Sequence, residues 1–210
     1  MAVDKDCFDA FHGPMLVFLD FEASSLARHS YPIEVAWVFE DGASEAHLIR
    51  PAPGWDDWDA AAEAIHRIPR ATLLAEGVAH EVVARRMVEQ LAGHDLTASA
   101  PSWDGKWLST LLRAASLPRH ALRLRDSDEA QREAARAILR DMVAADGLDA
   151  AAEDIRIHAI AARAGLVTAH RALADAREER ERWRAVRAAA TQFRDAQSPH
   201  PAAFVTRPHD

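Results

Sequence analysis

A mixed α/β fold, with helices on both faces of one central sheet, is what this sequence predicts. Three observations predict it. Strand-like runs crowd the first 50 residues, and helical periodicity then takes over with one or two short strand-like segments between helices. At 210 residues and 49% hydrophobic composition, the chain supplies one sizeable core rather than two.

Residues 15–21 (MLVFLDF) form a short apolar run with β-branched and aromatic members, bounded upstream by Gly13-Pro14, and read as a buried strand. Residues 33–39 (IEVAWVF) alternate and end at Asp41-Gly42, a hairpin signal. A third strand at about residues 45–50, closed by the loop PAPGWDD, completes an antiparallel meander. Helices are then expected over residues 58–68, ending before Pro69, and over residues 78–91, where Gly93 stops the run. Residues 96–99 are a weak strand candidate, and residues 104–115 carry Trp107, Leu108, Leu111 and Leu112 on one helical face. A strand is expected at residues 121–125. Ser127 can then cap a helix that reaches about residue 145, and Asp128 and Glu129 stand in the first turn where the helix dipole favours them. Further helices are expected over residues 151–164, stopped by Gly165, and over residues 172–193. The organisation expected is a single domain over residues 1–197 and a mobile tail over 198–210, which holds three prolines and little periodicity.

The formal net charge of −8 argues against a protein that grips nucleic acid through a broad basic surface. It does not argue against a compact acidic site whose bound cations provide the local positive field. Lys5 and Lys106 are the two lysines, so arginine supplies nearly all the positive charge. Cys7 is the one cysteine, which excludes an intrachain disulfide and a cysteine-based zinc cage. The chain shows no apolar run of membrane-spanning length and its start is acidic, so a soluble, cytoplasmic protein is expected.

Four acids and one histidine stand out. Asp20 and Glu22 lie two apart at the end of a strand, so both carboxylates project from one face. A hydrophobic strand has no structural reason to end in two same-face acids that repel each other. Asp104 starts a helix, where capping or a first-turn placement would explain it. His170 and Asp175, five apart, do not share a face of one continuous helix; they converge if His170 lies in a loop and Asp175 one turn inside the helix. Taken singly, each has an ordinary explanation. Together, four carboxylates from distant segments can hold two divalent cations over a phosphodiester.

The full set, in its order and settings, resembles the DnaQ-like DEDDh 3′-5′ exonucleases of the ribonuclease H-like superfamily, over residues 15–180. VFLDFEASSL resembles the first motif, SWDGKWL the second, and AHRALADA the third with its H-x4-D spacing; SYPIEVAWVFEDG is similar to the strand after the first motif. The chain departs from the family pattern at two places. Ala23, Ser24 and Ser25 stand where Thr-Thr-Gly is frequent, and Ser99 and Ala100 where many relatives have His-Asn.

The resemblance implies a ribonuclease H-like sheet of three antiparallel strands followed by one or two more. It implies that Asp20, Glu22, Asp104 and Asp175 hold two Mg2+ or Mn2+ ions, with His170 as general base. The expected substrate is the 3′ end of single-stranded nucleic acid or of a short oligonucleotide. Phe21, Ala23, Ser24, Leu26 and Trp103 are the candidate substrate contacts, Trp103 as an aromatic that could stack a base. No membrane partner is expected; a homodimer is consistent with the resemblance, since family members often dimerise. His66 and Asp126 also match family positions, the first in a structural or peripheral role, the second equally explained as an N-cap. The competing reading is a catalytically inactive ribonuclease H-like interaction module, which carboxylates more than about 8 Å apart would favour.

Overall fold

The computed structural model describes residues 13–163 and 170–197. Strands β1 (Leu16–Ala23), β2 (Pro32–Phe39) and β3 (Ser44–Arg50) form the antiparallel meander, with Gly42 in the left-handed region (φ 103°) at the hairpin. β4 (Val78–Ala79) adds in parallel to β3; β5 (Asp95–Ala98) pairs in parallel with β1, and β6 (Leu124–Asp126) with β5. The sheet order is β4-β3-β2-β1-β5-β6, so β1 sits inside the sheet with a neighbour on each side. Seven helices lie among the described residues: α1 (Ala60–His66), α2 (Arg70–Glu76), α3 (His80–Leu91), α4 (Pro101–Ala114), α5 (Ser127–Leu139), α6 (Leu148–Ala161) and α7 (Ala172–Gln197).

Side-chain alternation divides the sheet. Val17, Leu19 and Phe21 of β1, with Val35 and Trp37 of β2, pack against Val83, Met87 and Leu91 of α3 and Trp107, Leu108, Leu111 and Leu112 of α4. The opposite face takes the second helical layer. There the Phe18 ring meets Trp183 of α7 at 5.8 Å between centroids, and Ala135 of α5, Ala152 of α6 and Val186 and Ala190 of α7 form a separate cluster. Helices therefore cover both faces, as the sequence predicts. None of the described helices is long and apolar enough to cross a membrane.

Several boundaries differ from those read in the sequence. The segment expected as helix from residue 78 opens with the two-residue strand β4, because Val78 and Ala79 complete an edge beside Ile49 and Arg50 before the helix starts. α1 covers only Ala60–His66; Asp59 caps it by accepting from the Ala61 N–H, and Arg67 ends it at a left-handed φ of 58°. α2 escaped the sequence reading: seven residues between Pro69 and Gly77 are too few to show a period. α5 stops at Leu139, short of the expected end, and its N-cap is Asp126, whose carboxylate accepts from the Asp128 N–H; Ser127 is the first helical residue. β6 falls at Leu124–Asp126, later than the expected strand. The tail over 198–210, Gly165 and Cys7 lie outside the described residues.

Gly77 joins α2 to β4 at a close approach of two backbones. A Cβ there would lie 2.3 Å from the Leu73 carbonyl oxygen and 2.7 Å from the Arg50 nitrogen, and neither backbone atom can step aside as a flexible side chain could. Gly77→Ala is therefore expected to lower unfolding free energy by about 1–3 kcal/mol, as overpacking does, measurable as a reduced urea midpoint at unchanged m.

Candidate metal centre

β1 places the first two acids. Phe18, Asp20 and Glu22 share the sheet face that α7 covers, while strand alternation sends Phe21 and Ala23 into the core on the other side. α7 supplies the third acid: Asp175 is the fourth residue of that helix, and its N–H donates to the Arg171 carbonyl at 3.0 Å. Oxygens of Asp20, Glu22 and Asp175 all lie within 4.8 Å of one another. The fourth acid arrives from β5. Phe18 pairs with Thr97 in parallel, so the chain leaving β5 comes level with Asp20 before it turns into α4 at Ala100. Asp104 sits in the first turn of α4, 2% exposed, with the backbone N–H groups of Phe21, Ala100 and Asp104 itself supporting its carboxylate.

Like charge and burial dominate the electrostatics. Burial lifts the Asp20 carboxyl well above the usual carboxylate range, and the charges of Asp104, Glu22 and Asp175 push it further. Glu22 is pushed up to about 8, by burial first and then by Asp175 and Glu34, against the opposing pull of Arg171. Burial raises Asp104 to about 7, despite its backbone donors. A group of half-buried carboxylates held this close is satisfied by protons or by cations. With donors that are all carboxylate oxygens, the residues fit a divalent ion of the hard class.

The remaining expected residues are more dispersed. His170 lies exposed, two residues before α7, with a left-handed φ of 49°, as a loop placement requires. Phe21 belongs to the core and Ala23 is buried beside it. Ser24 is also buried: its hydroxyl donates to Asp57 Oδ2 at 2.8 Å and accepts from the Tyr31 N–H at 3.1 Å. Leu26 is 68% exposed and Trp103 37%; Lys106 Nζ rests 4.9 Å from the Trp103 ring centroid, and Trp107 tilts against that ring at 5.6 Å. His66 is buried and is not part of the three-acid group; its Nδ1 accepts from the Ile68 N–H, and burial lowers its pKa against the charges of Glu63 and Glu34. The separations above about 8 Å that would favour an inactive module do not occur among Asp20, Glu22 and Asp175.

Sequence reasoning missed three acids. Glu179, buried and one turn beyond Asp175 on the same face of α7, accepts from the Ser127 hydroxyl at 2.8 Å and pairs with Arg182; its charge acts on both Asp20 and Asp104. The i, i+4 spacing from Asp175 was its signal, lost in the charged run around it. Glu34, directly across β2 from Glu22, receives both arms of Arg171. Asp57 accepts from the Ser24 and Ser25 hydroxyls at 2.8 and 2.6 Å, tying the turn after β1 to the segment before α1.

No protein-family model matches this sequence. No curated protein matches it either. Solved structures do. E. coli exonuclease I in complex with a dA16 oligonucleotide is similar at 17% identity with a TM-score of 0.60, covering 87% of this chain and 42% of that one. Its complex with a dT13 oligonucleotide matches at 17% identity and 0.60, covering 87% and 43%. A zinc-bound form of the E. coli enzyme with single-stranded DNA matches at 17% and 0.56, covering 89% and 41%. The likeness is one of fold, the ribonuclease H-like mixed sheet, and this chain spans less than half the length of those proteins.

The raised carboxyls make stability depend on pH in a definite direction. Glu22 moves from an ordinary 4.5 to about 8 and Asp104 from 3.8 to about 7 on folding. Between the lower and upper values the folded state holds protons that the unfolded chain has released, so the contribution of these two groups is fully present below about 4 and is lost as pH rises towards 8. Metal-free protein is expected to melt at lower temperature at pH 8 than at pH 5.5, by at least roughly 2–4 °C, the shift about 1 kcal/mol produces in a chain of this size. Divalent cations should reverse the loss, and Glu22→Gln should flatten the profile; differential scanning calorimetry reads both.

Proposed function

We propose that this chain is a metal-dependent 3′-5′ exonuclease that shortens single-stranded nucleic acid and releases nucleoside 5′-monophosphates. The grouping of Asp20, Glu22 and Asp175 oxygens within 4.8 Å, bordered by Asp104, carries this reading. The fold likeness to exonuclease I, solved with dA16 and dT13, supports it.

In this reading Asp20, Glu22 and Asp175 hold one ion, and Asp20 with Asp104 a second, both Mg2+ or Mn2+. When bound, such ions lower the pKa of a water and neutralise charge on a leaving oxygen. The water oxygen forms the new bond to phosphorus, and the bond from phosphorus to the 3′ oxygen of the preceding nucleotide breaks. A ring nitrogen of His170 takes the water's proton. Backbone donors oppose the burial that raises the Asp104 carboxyl to about 7, and a bound cation would favour its ionised form. Leu26 and Trp103, both exposed, would flank the terminal nucleotides, Trp103 by stacking on a base. Ala23, Ser24 and Phe21 would shape the same end through their backbone, since their side chains are buried.

Incubation of the protein with 5′-labelled single-stranded DNA, single-stranded RNA and dinucleotides should give stepwise 3′ shortening with Mg2+ or Mn2+ and none in EDTA. Asp20→Asn and Asp175→Asn should abolish it, and His170→Ala should lower kcat by about 10²–10⁴-fold, the usual contribution of a general base. No shortening of any substrate with any divalent ion, or full activity in the Asp variants, would overturn the reading.

A further inference from the structure

Beside the acid cluster lies an ion pair that no ligand role explains. Glu34 is 4% exposed, on the face of β2 that α7 covers and directly across from Glu22. A buried carboxylate placed next to other carboxylates is costly unless its bonds are filled. Its bonds are filled from one place. Arg171 reaches it with both arms, Nε at 3.0 Å from Oε2 and Nη2 at 2.7 Å from Oε1, and the Ala172 backbone N–H donates to Oε2 at 3.0 Å. Such fork-on-fork geometry sets orientation as well as attraction.

Arg171 is also where α7 begins. Its carbonyl accepts from the Ala174 N–H at 2.9 Å and from the Asp175 N–H at 3.0 Å. The residue before it is His170, held at a φ of 49° that a side chain beyond glycine adopts only when its surroundings enforce it. One carboxylate on β2 thus grips the side chain of Arg171 and the first N–H of the helix, while the Arg171 carbonyl grips the backbone of Asp175. The tie spans 137 residues of sequence, between Glu34 and Arg171.

We propose that the Glu34–Arg171 pair is the positioning device of the site: it locks the start of α7 onto β2, so that His170 and Asp175 are presented to Asp20 and Glu22 in fixed register. Glu34 and Arg171 are positioning residues and touch no reacting atom. The catalytic consequence rests on the exonuclease reading above; the structural one does not.

Two mild variants test it. Glu34→Gln keeps an acceptor but loses the charge and one arm of the fork, leaving Arg171, half exposed, to water. Arg171→Lys keeps the charge and loses the two-armed contact. Each is expected to lower kcat by about 10- to 100-fold, the order expected from loosened positioning, with KM within about two-fold. Each should also speed amide hydrogen exchange at Ala172 and Asp175 in metal-free protein. Asp95→Asn is the control: it removes the charge from another two-armed contact, Asp95 with Arg125 at 2.8 and 2.6 Å, at the opposite end of β1. Asp95 is more exposed than Glu34 and shares Arg125 with Glu133, and its loss should leave kcat and α7 exchange unchanged. Unchanged exchange at the start of α7 in Glu34→Gln overturns the proposal, as does an equal loss of kcat in Asp95→Asn. Should the wild-type protein cleave nothing, the exonuclease reading falls, and the exchange measurement still decides whether Glu34 holds the helix.

Discussion

The alternation of side chains along β1 is the constraint on which the rest of the molecule depends. Being an interior strand, β1 has a helical layer on each face, and a period of two assigns every residue to one of them. Val17, Leu19, Phe21 and Ala23 belong to the larger core with α3 and α4, whereas Phe18, Asp20 and Glu22 face α7. A slip of one residue would bury both acids among Trp107, Leu108 and Leu111 and turn Phe21 towards Asp175. Register in this strand is therefore a condition of folding and of the candidate site at once.

Around that strand the protein treats its buried acids in two ways. Glu34 is neutralised by Arg171, and Glu179 is answered by Ser127 and Arg182. Asp20 and Glu22 are instead left among like charges, and both carboxyls rise. Carboxylates with compensating partners hold the frame. Asp20 and Glu22, with Asp175, form the candidate metal centre.

Legibility in the sequence followed the range of the interactions involved. The D-x-E pair on β1 and the break between His170 and Asp175 were readable because strand and helix periods act over a few residues. Helix α2 and strand β4 were not: one is seven residues long and the other two, and each exists because Gly77 lets backbones meet and Ile49 offers an edge. Asp126 displaced Ser127 as the cap of α5 because the Ser127 hydroxyl is engaged by Glu179, 52 residues away. Phe21 and Ala23 could be listed beside the acids as neighbours in sequence, yet neighbours along a strand face opposite ways.

The sequence by itself determined the mixed α/β plan, the same-face pairing of Asp20 with Glu22, and the separation of His170 from the helix that carries Asp175, because these follow from local periodicity and turn chemistry. Only the tertiary structure decided that Asp175 and Asp104 come to β1, that Glu179 and Glu34 join them, and that Arg171 clasps Glu34. Those contacts link segments dozens of residues apart, and burial makes them matter: in a low-dielectric interior a carboxylate's pKa and partner are set by whatever the fold brings beside it.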